Sequence, residues 1–225
     1  LLSLAPEAAI LSGNPLEELE RVRNVNFARR RVKRGEALFN AGVEFGALYS
    51  IRSGFFKTMA IDREGREQVT GFYMGGELLG LDGIGAGAYS VTAIALEDSE
   101  VCAMPFAMLE SFAREMPDFQ RHLHCMLARE IVANHGIMML LGSMTAEQRV
   151  AAFLTNLSMR LERRGYSPTE FHLRMSREEI GTYLGIKLET VSRVFSHLQQ
   201  KGALEVQGKH LRITKPERLM ATLKS

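Results

Sequence analysis

The amino-acid sequence predicts an α+β protein in three successive parts: a β-barrel, a long helix, and a helical unit that ends in a β-hairpin. Two observations carry this prediction. Twelve of the 20 glycines lie between Gly35 and Gly87, where short β-type runs alternate with turns. Beyond residue 115 the pattern changes to helical periodicity, first over one long stretch and then over shorter capped segments.

Residues 1–27 precede the barrel and are expected to be helical in two pieces. Asn14 and Pro15 supply an N-cap and a proline at the first helical position. Leu16 and Leu19 follow at helical spacing, so a short amphipathic helix is predicted to begin here.

Five runs rich in β-forming residues are predicted to be the strands of the barrel. Short strands punctuated by glycine at this spacing indicate a barrel or sandwich. No helix of any length fits between Val32 and Pro105. The predicted strands are Ala47–Ile51, Phe55–Ile61, Gln68–Met74, Tyr89–Ala95 and Glu100–Met104.

A long helix is predicted from about Met116 to Leu141. One stripe along it recurs at steps of 3 and 4 with a single polar Asn inside, which is the pattern of a seam between two helices. A second apolar stripe, which includes Leu123 and Leu140, lies beside the first. We assign one stripe to the barrel and the other to the same helix of a second subunit; the alternative is one wide stripe buried in a single core. The expected dimer residues are Leu127, Ile131, Asn134, Met138 and Leu141.

The stretch from Met175 to Ile213 predicts two short helices joined by a turn. Ser176 and Glu179 form a capping box, in which each side chain satisfies the backbone N–H of the other residue. The helix that follows ends at Gly185, which adopts a left-handed conformation at little cost. A second helix is predicted to begin near Glu189.

The segments around these two helices complete the predicted unit. Thr145 and Gln148 belong to another capping box, which opens a helix to about Arg163. A short strand is expected at Glu170–Leu173. Beyond Gly202, two runs that alternate apolar and polar residues predict a tight hairpin. These runs are Ala203–Val206 and His210–Ile213, around Gln207, Gly208 and Lys209.

A helix pair of this kind places its second helix in the major groove of DNA. Glu189, Ser192 and Arg193 fall at i, i+3 and i+4, on the face opposite the apolar stripe. Arginine can donate two hydrogen bonds to a guanine, at O6 and N7, and glutamate can accept one from the N4 amino group of a cytosine. Serine can hydrogen-bond several bases. An isolated Glu–Arg pair would be an ordinary surface ion pair, but inside a capped helix pair with a hairpin it predicts base reading. Thr190 and Lys187 are further candidate contacts.

Charge is divided unevenly along the chain. Residues 1–142 hold 14 Lys and Arg against 18 Asp and Glu, a net charge of −4, whereas residues 143–225 hold 14 against 8, a net charge of +6. Positive charge concentrated on the helix pair is expected of a protein that binds a polyanion. Two cysteines, no signal peptide and no long apolar run favour a cytoplasmic protein without a membrane partner.

An enzymatic function is disfavoured by the distribution of histidines. All six lie after residue 120, so the barrel offers no imidazole ligands for a catalytic metal. We therefore expect no enzyme and no catalytic residue in this chain.

The three parts, in this order, resemble the CRP/FNR superfamily of bacterial transcription regulators, and within it the FNR-like, oxygen-responsive branch. The resemblance implies a jelly-roll (double-stranded β-helix) sensor barrel in residues 1–115, a dimerisation helix in 116–142 and a winged helix-turn-helix in 143–225. It also implies that Glu189, Ser192 and Arg193 read TTGAT-like half-sites in double-stranded DNA, and that RNA polymerase is a partner. The motifs that carry it are Leu48–Gly54, Glu67–Phe72, Gly80–Gly85, Val101–Phe106, Arg149–Leu154 and Glu189–Arg193.

The sequence departs from the cyclic-nucleotide branch of that superfamily. There an Arg-Ser pair holds the cyclic phosphate, whereas Tyr89 and Ser90 stand in its place here. No cAMP binding is expected, because the phosphate would be buried without a counter-charge. Lys187 also stands where a Ser or Thr cap is usual; a phosphate contact would explain it, and so would plain exposure.

The FNR likeness implies a [4Fe–4S] cluster held by four thiolates, three near the N-terminus and one isolated in the barrel. Cys102 stands where the isolated ligand belongs, but residues 1–27 contain no cysteine. Either the other ligands lie upstream of Leu1, or the protein is a regulator without a cluster that responds to another effector or to none. Cys125 is expected to be a buried structural thiol.

Overall fold

The computed structural model describes residues 27–224, which divide into two compact units, 27–131 and 132–224. The boundary between the units falls inside the long helix. The helical pieces predicted within residues 1–27 lie outside the described residues. Within the described part of the chain, no helix has both the length and the apolar character needed to cross a bilayer.

The first unit is built on two four-stranded antiparallel sheets that form a jelly-roll barrel. The strand order is β1-β8-β3-β6 in one sheet and β2-β7-β4-β5 in the other. The strands are β1 (Ala28–Val32), β2 (Ala37–Phe39), β3 (Ala47–Ser53), β4 (Phe55–Ile61), β5 (Glu67–Met74), β6 (Leu78–Leu79), β7 (Thr92–Ala95) and β8 (Ser99–Pro105).

Each of the five predicted strands is present, but β7 begins at Thr92 rather than at Tyr89, and β1, β2 and β6 were not predicted. β2 and β6 have three and two residues, too few to show a period of two. β1 reads Ala-Arg-Arg-Arg-Val and lies at a sheet edge, paired with β8 alone in that sheet. Its arginines are exposed, as charged side chains on edge strands commonly are. One helical turn, α1 (Gly83–Ala86), lies between β6 and β7, in the range where no helix was predicted.

The core of this unit lies between the two sheets, where residues such as Ile51, Phe56 and Val101 are buried. The outer face of β3 and β8 is covered by α2 (Phe106–Glu115) and by the beginning of α3 (Pro117–Ser143). Buried members of this second cluster include Leu48, Met104, Leu109 and Leu123.

The second unit begins with the end of α3 and contains four further helices and three strands. Both predicted capping boxes are confirmed, at Thr145 with Gln148 and at Ser176 with Glu179. The strands form one antiparallel sheet in the order β10-β11-β9. The elements are α4 (Ala146–Glu162), β9 (Glu170–His172), α5 (Arg177–Leu184), α6 (Leu188–Gln200), β10 (Leu204–Gln207), β11 (His210–Ile213) and α7 (Pro216–Thr222).

Candidate DNA-binding site

The second helix of the pair, α6, is formed by a sequence with a strongly one-sided apolar pattern. Val191, Val194, Phe195 and Leu198 are at most 9% exposed and pack into the core of the unit. Lys187 is its N-cap residue, is exposed, and makes no capping bond with its side chain. The first turn of α6 therefore has no side-chain cap, and the N–H of Thr190 donates to the carbonyl of Lys187 at 2.9 Å.

The opposite face of α6 carries the residues predicted to read bases. Glu189, Ser192 and Arg193 are all exposed on it. Thr190 is half-buried beside them, and its Oγ1 accepts a hydrogen bond from Arg193 Nη2 at 3.3 Å. The structure thus brings these predicted residues together in the first two turns of α6, with Lys187 immediately before them.

The turn between α5 and α6 is held by two glycines with different roles. Gly185 has a φ of 63°, in the left-handed region that was predicted for it. Gly181 is buried inside α5, and a Cβ atom there would lie 2.6 Å from the carbonyl oxygen of Ile186. No pattern in the sequence indicates this close approach, because a glycine inside a helix usually indicates only a weaker helix.

Arg177 is a second residue whose role the sequence did not indicate. Its guanidinium carbon lies 3.6 Å from the centre of the Phe195 ring, so the first residue of α5 stacks on the core face of α6. Burial lowers the pKa of Arg177. At the other end of α6, Glu147 accepts from Lys201 Nζ at 2.7 Å and lies 3.3 Å from His197 Nδ1. These contacts fix α6 within its unit.

The wing is the hairpin of β10 and β11, and Gly208 in its turn has a φ of 60°. β9 pairs with the outer side of β11 and places Glu170 beside two basic side chains. Glu170 Oε1 accepts from Arg212 at 3.3 Å and lies 3.0 Å from His210 Nε2. The hydrogen bond and charge of Arg212, followed by those of His210, hold the pKa of Glu170 below its ordinary value.

The stripe predicted to join two subunits is largely exposed in the single chain. Ile131 is 56% and Met138 is 69% exposed, and Asn134 between them is exposed as well. Leu141 is half-buried, and Leu127 packs partly against the apolar cluster under α3. The second apolar stripe is buried at both ends, since Leu123 is 8% and Leu140 is 4% exposed.

The two residues that replace the Arg-Ser pair of the cyclic-nucleotide branch both make hydrogen bonds within the barrel unit, Tyr89 in its core and Ser90 at its surface. Tyr89 is buried; its hydroxyl donates to the carbonyl of Ala47 at 2.7 Å and its ring stacks on Phe39 at 4.0 Å. Ser90 donates its backbone N–H and its hydroxyl to Asp82 Oδ2, at 2.7 and 2.8 Å. A carboxylate therefore occupies the donors that an anion would need.

Cys102 lies in β8 and is 3% exposed, among the apolar residues under α3, with its Sγ 3.9 Å from Arg52 Nη1. Cys125 is half-buried rather than fully buried. Between residues 27 and 224, no group of three or more His, Cys, Asp or Glu side chains could hold a metal ion. The whole sequence contains two cysteines, so the residues present do not fit a [4Fe–4S] cluster with four thiolate ligands.

A jelly-roll barrel, a long helix and a winged helix-turn-helix with an exposed polar recognition face together define a DNA-binding regulator. Comparison with known families agrees: a Crp-like helix-turn-helix domain matches residues 148–222 and a cyclic nucleotide-binding domain matches residues 29–116.

Similar proteins cover most of the chain. The transcriptional activator protein Anr of Pseudomonas protegens is 42% identical over 219 residues, covering 97% of this chain and 89% of Anr. The fumarate and nitrate reduction regulatory protein of Salmonella typhimurium is 41% identical over 204 residues, covering 91% of this chain and 82% of the Salmonella protein. The solved structure of FixK2 from Bradyrhizobium japonicum is similar with a TM-score of 0.79 and 29% identity, covering 88% of this chain and 98% of FixK2.

The chain belongs to the CRP/FNR family. It is a DNA-binding transcription regulator and not an enzyme. The predicted fold class, the jelly-roll barrel followed by the winged helix-turn-helix, is confirmed.

Proposed function

We propose that this regulator binds palindromes of TTGAT-like half-sites as a homodimer and acts with RNA polymerase on transcription in the cytoplasm. The observation that carries the proposal is the exposed face of α6, where Glu189, Ser192 and Arg193 lie opposite a fully packed apolar stripe. Thr190 and Lys187 flank this face at the start of the helix.

The chemistry of the three side chains fits such a half-site. Arg193 supplies paired donors for O6 and N7 of the guanine, and Glu189 accepts from the N4 amino group of the cytosine that pairs with that guanine. Ser192 both donates and accepts. The positive charge of residues 143–225 supplies the attraction to phosphates that does not depend on sequence.

Substitution of Arg193 by alanine tests the recognition face. We expect a loss of about 1–3 kcal/mol for each half-site, because one bidentate base contact disappears. In a gel-shift titration the variant should bind the palindrome and a scrambled duplex almost equally. Arg163→Ala is the matched control, since it removes the same charge from an exposed residue just after α4. Full discrimination by Arg193→Ala would show that α6 does not read the bases.

The homodimer is supported by the exposed seam on α3. Exposure of Ile131 and Met138 favours the two-partner interpretation over a single core, because large apolar side chains in a row seldom face water without a partner. Ile131→Glu would place two like charges in one apolar interface. We expect sedimentation to show a monomer and DNA affinity to collapse. Val132→Glu, on the neighbouring and also exposed position, should remain dimeric; an unchanged dimer with Ile131→Glu would rule out this seam.

A response to oxygen or redox state is the finer proposal that the FNR likeness supports, with Cys102 as one ligand of a [4Fe–4S] cluster. It requires further thiolates upstream of Leu1, since residues 1–225 contain two. The alternative is a regulator without a cluster. Anaerobic reconstitution of the protein from its native gene, compared with Cys102→Ser, separates the two by iron content and visible absorption. No iron in the wild type would favour the alternative, and equal iron in both proteins would show that Cys102 is not a ligand.

Binding of cAMP is not part of the proposed function. Asp82 already accepts from both donors of Ser90, and its carboxylate would repel a phosphate at that position. Isothermal titration with cAMP should therefore give no binding heat, and measurable binding would contradict this part of the proposal.

A further inference from the structure

The guanidinium of Arg149 connects three separate pieces of the second unit through backbone carbonyl groups. Arg149 lies in the first turn of α4. Its Nη2 donates to Leu141 at 2.7 Å, its Nη1 to Leu184 at 2.9 Å and its Nε to Met144 at 3.0 Å. The three acceptors belong to the last turn of α3, to the end of α5 and to the link between α3 and α4.

Arginine suits this position for a physical reason. The last carbonyls of a helix have no partner within the helix and carry the negative end of its dipole. A planar guanidinium holds its five donors in a fixed fork and can satisfy several such carbonyls at once, whereas a lysine ammonium acts as a point charge on a flexible stem. Arg149 therefore defines an angle between the two helix ends, and a lysine there would not.

The turn of the helix pair packs directly on this arrangement. A Cβ atom at Gly185 would lie 3.5 Å from Arg149 Nη1 and 3.5 Å from Leu141 Cδ2. Because α6 begins three residues after Gly185, the end of α3, the end of α5 and the start of α6 are fixed around one side chain.

We propose that Arg149 sets the separation between the two half-sites that the dimer reads. This inference rests on the proposed function, in which α3 joins two subunits and α6 reads one half-site in each. The orientation of α5 and α6 on the end of α3 then determines the distance and rotation between the two recognition helices. One extra base pair moves a half-site by about 3.4 Å and rotates it by about 35°, so a fixed orientation selects one spacing. Arg149 is a positioning residue and does not itself contact DNA.

The experiment measures spacing preference and base preference separately. Wild type, Arg149→Lys and Arg149→Gln are titrated with palindromes whose spacer changes in steps of one base pair around the wild-type optimum. The same proteins are titrated with the optimal palindrome after its guanines are replaced. Arg164→Lys is the matched control, because its guanidinium also donates to a backbone carbonyl, that of Arg160 at 2.7 Å, but Arg164 lies just after α4 and Arg160 in the last turn of α4.

We expect both Arg149 variants to lose about tenfold of the preference for the optimal spacer, which corresponds to about 1.4 kcal/mol. They should keep the wild-type penalty for replaced guanines and remain dimeric in sedimentation, and Arg164→Lys should behave as wild type.

An unchanged spacing preference in the Arg149 variants would overturn the inference. A parallel loss of spacing and base preference in both variants would also overturn it, since that result indicates a general weakening of the unit. A wild type that prefers no palindrome at any spacing would refute the proposed function itself, and the spacing inference with it.

Discussion

Gly181 offers a quantitative test of how tightly the two helices of the pair approach each other. A Cβ atom at this position would lie 2.6 Å from the carbonyl oxygen of Ile186, about 0.8 Å inside the ordinary contact limit of 3.4 Å. That oxygen is backbone in the turn and cannot rotate away, and the N–H of Ile186 donates to the carbonyl of Gly181 at 2.9 Å. The added methyl group must therefore push the turn and α6 away from α5.

The expected magnitude combines two opposed effects. Overpacking of this kind costs about 1–3 kcal/mol, whereas alanine stabilises a helix by up to about 1 kcal/mol relative to glycine. We expect Gly181→Ala to lower the stability of the helix pair by about 1–2 kcal/mol. Gly142→Ala is the control, because Gly142 is also helical but an added Cβ would meet no atom within 4 Å. This substitution should leave the stability unchanged or raise it.

Native-state hydrogen exchange followed by mass spectrometry is the appropriate assay, since peptides from residues 177–200 report on the helix pair alone. Gly181→Ala should exchange faster there and bind the palindrome more weakly, and Gly142→Ala should do neither. Equal or greater protection in Gly181→Ala would refute the packing described for α5, the turn and α6.

Two further predictions concern titratable groups. Arg212 lowers the pKa of Glu170 in the folded protein. The stability that the ionised Glu170 contributes is therefore fully present above the pKa of an unfolded glutamate, about 4.3, and is lost as the pH falls through the pKa of Glu170 in the folded protein. Glu170→Gln should therefore flatten the acid side of the pH profile of the free energy of unfolding. Tyr73 donates to Glu130 Oε1 at 2.9 Å, and burial followed by the charge of Glu130 raises its pKa. Tyr73→Phe should destabilise the barrel unit by about 1–2 kcal/mol in urea at pH 8, and the difference from wild type should shrink above pH 10, where the unfolded tyrosine ionises.

The parts of the structure that depend on local sequence could be predicted. The capping boxes at Thr145 and Ser176 and the left-handed Gly185 depend on residues within a few positions of one another, and each lies where predicted. The apolar stripe of α6 likewise predicted its buried face, and hence the exposed positions of Glu189 and Arg193. The bounds of the predicted helices differed by one or two residues, whereas α1, α2 and α7 were not predicted.

Contacts between residues distant in sequence could not be predicted. The bond from Arg149 to Leu184 spans 35 positions, and that from Tyr73 to Glu130 spans 57. Neither pair shows a spacing pattern, because a polar side chain on a helix or strand is compatible with many partners. Asp82 is a similar case: it lies in a glycine-rich segment, and only the fold brings it to the backbone and hydroxyl of Ser90.

The central claim is that α6 reads a guanine in each half-site through Arg193, and replacement of a single ring nitrogen in the DNA tests it most directly. Replacing that guanine by 7-deazaguanine removes the N7 acceptor and leaves base pairing intact. We predict that wild type loses about tenfold in affinity per half-site, as expected for one charge-assisted hydrogen bond of about 1.5 kcal/mol. Arg193→Ala should bind the normal and modified palindromes equally. Equal binding by the wild type, or continued sensitivity of Arg193→Ala to the replacement, would contradict the assignment.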